Sequence, residues 1–226
     1  MKISILTLFP NLFSEFLKTS ILGRASKKGL VKYEVIDLRQ FGEGKHQVVD
    51  GRPFGGGAGM IFKADILAKA LKSIQPFTKN YKPLTILMSA SGKTYNQSQA
   101  WNFSKLDHLI IVCGHYEGVD QRFIDKYVDE EISIGDYVLT GGEIPALVVV
   151  DSIVRLIPEV LKKSEAVLEE SFSEGLLEYP QYTRPEFFEG EKVPEILLSG
   201  NHQEIRKWRQ QQSLEKTKQI RPDLLK

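Results

Sequence analysis

The chain has 226 residues, 42% apolar and 26% charged, with 30 basic against 29 acidic side chains, which suits one large domain or two modest ones and excludes disorder over most of its length. A net charge of +1 gives no general signal for a polyanion partner, so any such argument must rest on where the charges lie. The single Cys113 excludes an intrachain disulfide and an all-cysteine metal site, and His46, His108, His115 and His202 show no ligand spacing, so no metal site is expected.

In chain order, "KISILTLF" from Lys2 is a short apolar run of strand length, and Met1 to Leu8 lacks the charged region, long apolar core and cleavage site of a leader. Because no apolar run reaches the roughly 18 residues of a membrane helix, a cytoplasmic location away from membranes is expected. "NLFSEFLKTSILGRASKKG" has apolar residues at helical spacing and ends on Gly29. "KYEVIDLR", "LTILMSA" and "HLIIVCG" are further strand-length runs, largely without alternation, as strands buried on both faces should be. Between them "KADILAKALKSI" and "YNQSQAWNFSKL" have helical spacing. Strands alternating with helices predict an α/β domain, a parallel sheet with helices on both faces. "EIPALVVVDSIVRLIPEVL" predicts a buried, almost wholly apolar helix with Pro145 in its first turn, ending near Pro158.

The pattern then changes. "KKSEAVLEESFSEG" has few apolar anchors and suits a linker, and "NHQEIRKWRQQQSLEKTKQI" suits a helix capped by Asn201 with Glu204 at its third position. From Asn201 onward seven basic residues face three acidic ones, an excess that fits phosphate contact or a solvated helix face. The expected organisation is a domain over 1–162, a linker over 163–178 and a small helical C-terminal domain over 179–226.

Two glycine clusters, "PFGGGAGM" and "TGGE", lack the lysine of a phosphate loop and the spacing of a dinucleotide fold, which disfavours a triphosphatase or a dinucleotide enzyme. Three other loops, "MSASG", "CGHYEG" and "SIGDYVLTGG", fall at the C-terminal ends of predicted strands, the edge where open α/β sheets bind ligands. Small residues there expose main-chain donors and acceptors and suit a nucleoside better than a triphosphate.

Together, "VVDGRPFGGGAGM", "CGHYEGVDQR", "SIGDYVLTGGEIPA", "DSIVRLIPEVL", "SFSEGLLEYPQYTRP" and "LLSGNHQEIRKWRQQQSL" resemble the bacterial tRNA (guanine-37-N1)-methyltransferase family, in order and over almost the full chain. The resemblance implies a SPOUT fold with a trefoil knot at the C-terminal edge of the sheet, which no periodicity could suggest because true knots are so rare. It also implies S-adenosylmethionine as cofactor, the anticodon loop of tRNA as substrate, and a homodimer whose active site is completed at the subunit interface. The implied cofactor contacts are Ser89, Ala90, Gly114, Tyr116, Glu117, Ser133, Ile134, Gly135, Asp136, Tyr137, Val138, Leu139, Gly141, Gly142 and Pro145. Tyr116, Tyr137 and Leu139 suit core packing equally well. The implied tRNA contacts are Asp50 and its glycine-rich neighbourhood, Ser171, Thr183, Arg184, Arg206, Lys207, Trp208 and Arg209, with Trp208 fitting either base stacking or core packing.

Methyl transfer to N1 of guanine requires removal of the N1 proton, work suited to a carboxylate. The family's Asp before a Ser-Phe pair corresponds to Glu170, with Glu169 as a competing candidate. The longer side chain puts efficiency in question, since a 1 Å misplacement costs roughly 10² in rate. Arg155 corresponds to an Arg beside the substrate base, where its donors would meet guanine O6, and a salt bridge to Asp151 is compatible with that role. His115 stands where many relatives have Arg and is given no phosphate role. Assistance by Mg2+ stays open. So do two other readings, a ribose 2′-O methyltransferase of the same superfamily and an RNA-binding relative weakened by loss of the Asp.

Overall fold

The computed structural model describes residues 1–74, 83–162, 170–173 and 175–225. The chain divides into two compact units, Met1–Lys162 and Lys163–Lys226. In order, the first contains β1 (Lys2–Thr7), α1 (Asn11–Lys18), α2 (Ser20–Lys27), β2 (Lys32–Asp37), β3 (Asp50–Gly51), β4 (Ile61–Phe62), α3 (Ala64–Ser73), β5 (Leu84–Thr94), α4 (Gln97–Ser104), β6 (His108–Cys113), α5 (Gln121–Tyr127), β7 (Glu130–Ser133) and α6 (Glu143–Val154). Five strands form a parallel sheet in the order β2-β1-β6-β5-β7.

Successive strand side chains point to opposite faces, so each strand feeds two cores. Ile3, Ile5, Leu109 and Ile111 pack with Phe13 and Leu17 of α1, Leu22 of α2 and Val149 and Ile153 of α6. Leu6, Ile110, Val112 and Leu87 pack with Ile66 and Leu67 of α3 and Phe123 of α5 on the other face. The continuous apolar runs in the sequence follow from this two-sided burial. The fold is therefore the expected mixed α/β arrangement around a parallel sheet.

Three local features depart from the periodicity. The first predicted helix is two, broken at Thr19, which is extended, and Ser20, whose φ is +48°. The break folds the chain so closely that a Cβ on Gly23 would lie 1.9 Å from the Lys18 carbonyl oxygen. Next, α6 stops at Val154 instead of continuing to Pro158, and Arg155 is its C-cap, not an interior residue. Leu156 and Ile157 donate to the carbonyls three residues back, a tightening that suits the approach to a proline, which disfavours helical geometry in the residue before it. Finally, Met88 and Lys93 of β5 both pair with Ile132 of β7, so Ser89 to Gly92 are looped out of the sheet edge.

In the second unit, β8 (Phe187–Phe188) and β9 (Glu191–Lys192) form a small hairpin, followed by α7 (Glu195–Leu198) and α8 (His202–Ile220). Asn201 caps α8 by accepting from the Glu204 amide at 3.3 Å, while the Glu204 carboxylate turns to Lys207 at 2.9 Å. Buried Thr217 accepts from the Leu177 amide at 2.8 Å, and Lys216 donates to the Glu178 carbonyl at 3.0 Å, which ties the segment after Gly175 to α8. Residues 163–169 and 174 of the expected linker lie outside the described residues. No described helix is long and apolar enough to cross a membrane.

Candidate active site

At the C-terminal edge of the sheet the loops after β5, β6 and β7 converge on a cavity of about 510 Å³, within the roughly 300–1,000 Å³ of small-molecule sites. Its walls are largely main chain, and the glycines show why. A Cβ on Gly142 would lie 2.7 Å from the Gly114 nitrogen and 2.8 Å from Cys113 Cα, and one on Gly114 would lie 3.0 Å from the Met88 carbonyl oxygen. The Gly142 amide donates to the Gly114 carbonyl at 2.7 Å, and His115 and Gly141 form an isolated antiparallel bridge. The loop after β7 folds on itself. The Ser133 hydroxyl donates to the Gly135 carbonyl at 3.0 Å, the Tyr137 amide donates to the same carbonyl at 2.9 Å, and the Tyr137 hydroxyl donates to the Ile134 carbonyl at 3.3 Å.

Behind this cavity a buried carboxylate holds α6 to the sheet: Glu143 accepts from the Thr7 hydroxyl at 2.8 Å, between residues 136 positions apart in the sequence. Burial first, and the Glu143 charge second, push the nearby Cys113 thiol up. Tyr116 has a φ of +60°, an uncommon left-handed geometry for a non-glycine residue, and its ring meets Phe62 and His115 edge-on at 5.4 and 4.7 Å. Its hydroxyl is held above the usual tyrosine range, by partial burial first and then by the carboxylate of Asp50. Asp50, at the start of β3, thus stands beside the cavity wall.

The second unit has its own cavity of about 1180 Å³, lined by Glu170, Thr183, Arg184, Arg206, Trp208 and Arg209 among others. The Arg209 guanidinium lies over the Tyr179 ring at 4.7 Å, and its buried Nε has no hydrogen-bond partner among the described residues. The Tyr182 and Trp208 rings are 6.4 Å apart. Ser171 accepts from the Glu178 amide at 3.0 Å, and the Ser173 amide donates to the Glu170 carbonyl at 3.2 Å, so the residues around Glu170 form a turn. Arginines, a stacking aromatic and a carboxylate in one concavity can recognise a base and phosphate together.

The family described as tRNA (Guanine-1)-methyltransferase TrmD matches residues 1–226. The chain belongs to this family. Among curated relatives it is 51% identical to the tRNA (guanine-N(1)-)-methyltransferase of Moorella thermoacetica, over 100% of the chain and 90% of the relative. It is 54% identical to the enzyme of the same name from Clostridium beijerinckii and 50% identical to that of Listeria monocytogenes, in each case over 100% of the chain and 92% of the relative.

The residues that the family resemblance assigns to the cofactor all line the first cavity except Asp136. Those assigned to tRNA divide. Thr183, Arg184, Arg206, Trp208 and Arg209 share the second cavity with Glu170, whereas Ser171 and Lys207 lie outside its lining and Asp50 belongs to the first unit. Arg155 is half-buried at the C-cap of α6, and Glu169 lies outside the described residues. Among the described residues no group of three or more His, Cys, Asp or Glu side chains is placed to hold a metal. Sequence reasoning missed Glu143 and its partner Thr7. Nothing local marks either, since their relation exists only once β1 and α6 meet across the sheet.

Proposed function

We propose that this chain methylates N1 of the guanosine at position 37 of tRNA, 3′ to the anticodon, with S-adenosylmethionine as methyl donor. The observation that carries this reading is the cavity at the sheet edge, built by three loops that bring main-chain groups within reach of a nucleoside. The cofactor fits these surroundings: small residues and main chain make up much of the cavity wall, and Glu117 and Ser133 add polar side chains. Ser89, Ala90, Gly114, Gly141 and Gly142 would hold it, with Ile134, Tyr137 and Leu139 covering its apolar surface. When bound, it would supply an electrophilic methyl group, whose bond to sulfur breaks as the bond to N1 forms and leaves a neutral thioether.

The residues of the chain do the rest. The Glu170 carboxylate accepts the N1 proton of guanine, so that the nitrogen lone pair becomes free to form the bond to carbon; a positioned base contributes about 10² to 10⁴ in rate. Arg155 donates to guanine O6, where negative charge grows as the proton leaves. Arg184, Arg206, Lys207 and Arg209, with Thr183, Ser171 and Asp50, hold the anticodon loop, whose single-stranded bases can be turned outward at modest cost.

The same reading includes a trefoil knot at the edge where Gly142 is pressed against Gly114, and a cytoplasmic homodimer whose active site is completed by a second copy. Ile144 and Val148 support the dimer, since they lie one turn apart on α6, most of whose apolar residues are buried, and are 54% and 44% exposed. The test is transfer of labelled methyl from S-adenosylmethionine to tRNA transcripts with guanosine or adenosine at position 37. Label at N1 of the guanosine alone is expected. Label on a ribose hydroxyl, or none on either transcript, would overturn the reading.

A further inference from the structure

The glycine-rich segment between β3 and β4 has a root and a tip of opposite character. At the root, the Glu117 amide donates to the Met60 carbonyl at 3.0 Å, the Phe62 amide donates to the Gly118 carbonyl at 3.0 Å, and the Asp120 amide donates to the Phe62 carbonyl at 3.1 Å. The root is therefore stitched to the β6 loop that walls the sheet-edge cavity, beside Tyr116 and Glu117. At the tip, Phe54 is 98% exposed, the highest exposure of any large apolar side chain among the described residues.

The three glycines that follow it are not there to let another part of the chain approach. Gly55 and Gly56, at φ of +85° and +81°, have nothing within 4 Å of where a Cβ would stand, and Gly57, at +120°, meets only the Pro53 ring at 3.9 Å. What they provide is backbone geometry that side-chain-bearing residues rarely adopt. An unpacked phenyl ring is thus held out on a segment of special geometry, with exposed Arg52 two residues before it and the methyl-donor cavity at its root. Packing within its own unit does not account for the ring.

We propose that Phe54 is a substrate-positioning residue whose ring stacks on the guanine that is turned out of the anticodon loop toward the cavity. The inference rests on the tRNA-methylating reading above. A base leaving its stack loses the faces of its neighbours, and an aromatic ring can replace one of them without regard to sequence. Arg52, on the same exposed segment, supplies a cation for the adjoining phosphate.

The test compares wild type, F54L and F54W. Leucine keeps an apolar side chain but removes the flat ring, and tryptophan keeps the ring; at so exposed a position neither disturbs a core. The concentration of tRNA transcript that half-saturates methyl transfer is expected to rise about 5- to 100-fold in F54L and to return close to wild type in F54W. Calorimetric affinity for S-adenosylmethionine and the sedimentation coefficient should be unchanged in all three. With 2-aminopurine in place of the target guanine, F54W should quench its emission on binding more strongly than F54L does.

Equal tRNA dependence in wild type and F54L overturns the proposal. So does F54W behaving like F54L, or a change in sedimentation for F54L, which would place the ring against a second copy. A wild-type chain that neither binds nor methylates tRNA would overturn the function itself, whereas an active wild type insensitive to F54L would overturn only the role of Phe54.

Discussion

His108 shows how a single residue is defined by its neighbours. It starts β6 as a buried residue, 7% exposed, and its Nε2 lies 2.9 Å from the hydroxyl of Ser4, which donates its own proton to Glu34 at 2.8 Å; the ring nitrogen is therefore the donor to Ser4. Lys2 pairs with Glu34 at 2.7 Å. Burial first, then the Lys2 charge, lowers the imidazole pKa from 6.5 to about 4, against a weaker upward pull from Glu34. Above pH 6.5 the ring is neutral folded or unfolded and contributes no pH dependence. As pH falls from 6.5 towards 4, the unfolded chain takes a proton that the folded chain refuses, so stability falls through that window. Between about pH 7.5 and about pH 5, wild type should lose more thermal stability than H108Q, whose side chain does not titrate; equal losses would contradict this. Neither the network nor the direction of the shift was legible in the sequence, where His108 is one of four scattered histidines. They arise from register, which places Glu34 beside Ser4 and His108 beside Lys2.

At the scale of elements, strands and helices were legible where periodicity is strong and boundaries were not. β1, β2, β6, α3 and α4 follow the apolar spacing, whereas the break at Thr19 and the end of α6 at Val154 depend on close approaches between segments. The three loops of the cavity were legible as a set because strand ends in a parallel sheet share an edge. The job of each glycine was not, because it depends on what stands opposite. Gly142 faces the backbone of Cys113 and Gly114, and Gly55 faces nothing. G142A should therefore lower stability by about 1–3 kcal/mol, as overpacking does, and weaken S-adenosylmethionine binding with it. Denaturant unfolding and calorimetry with and without cofactor check both effects. Wild-type affinity in G142A would show that the main-chain contact between the two loops does not shape the site.

For the whole molecule, membership of the methyltransferase family was legible from long motifs in order. Composition alone carried little of the function. The balanced total charge conceals a second unit in which Arg184, Arg206 and Arg209 surround one cavity. Part of the basic excess of the C-terminal segment is already matched within it, Lys207 by Glu204 and Arg221 by Asp223. Only the resemblance singles out Glu170, by its place before Ser171 and Phe172, since a carboxylate in a charged stretch is ordinarily a solvated side chain.

Removal of the N1 proton by Glu170, as proposed, is tested by the single-turnover rate of methyl transfer with tRNA and S-adenosylmethionine saturating, in wild type, E170Q and E170D. E170Q keeps the shape and loses the base; its rate should fall by about 10² to 10⁴ while affinities for tRNA and cofactor stay within about twofold, a difference of roughly 0.4 kcal/mol. E170D should retain transfer. A wild-type rate in E170Q would exclude Glu170 as the base and move that role to another residue, with Glu169 the first to replace.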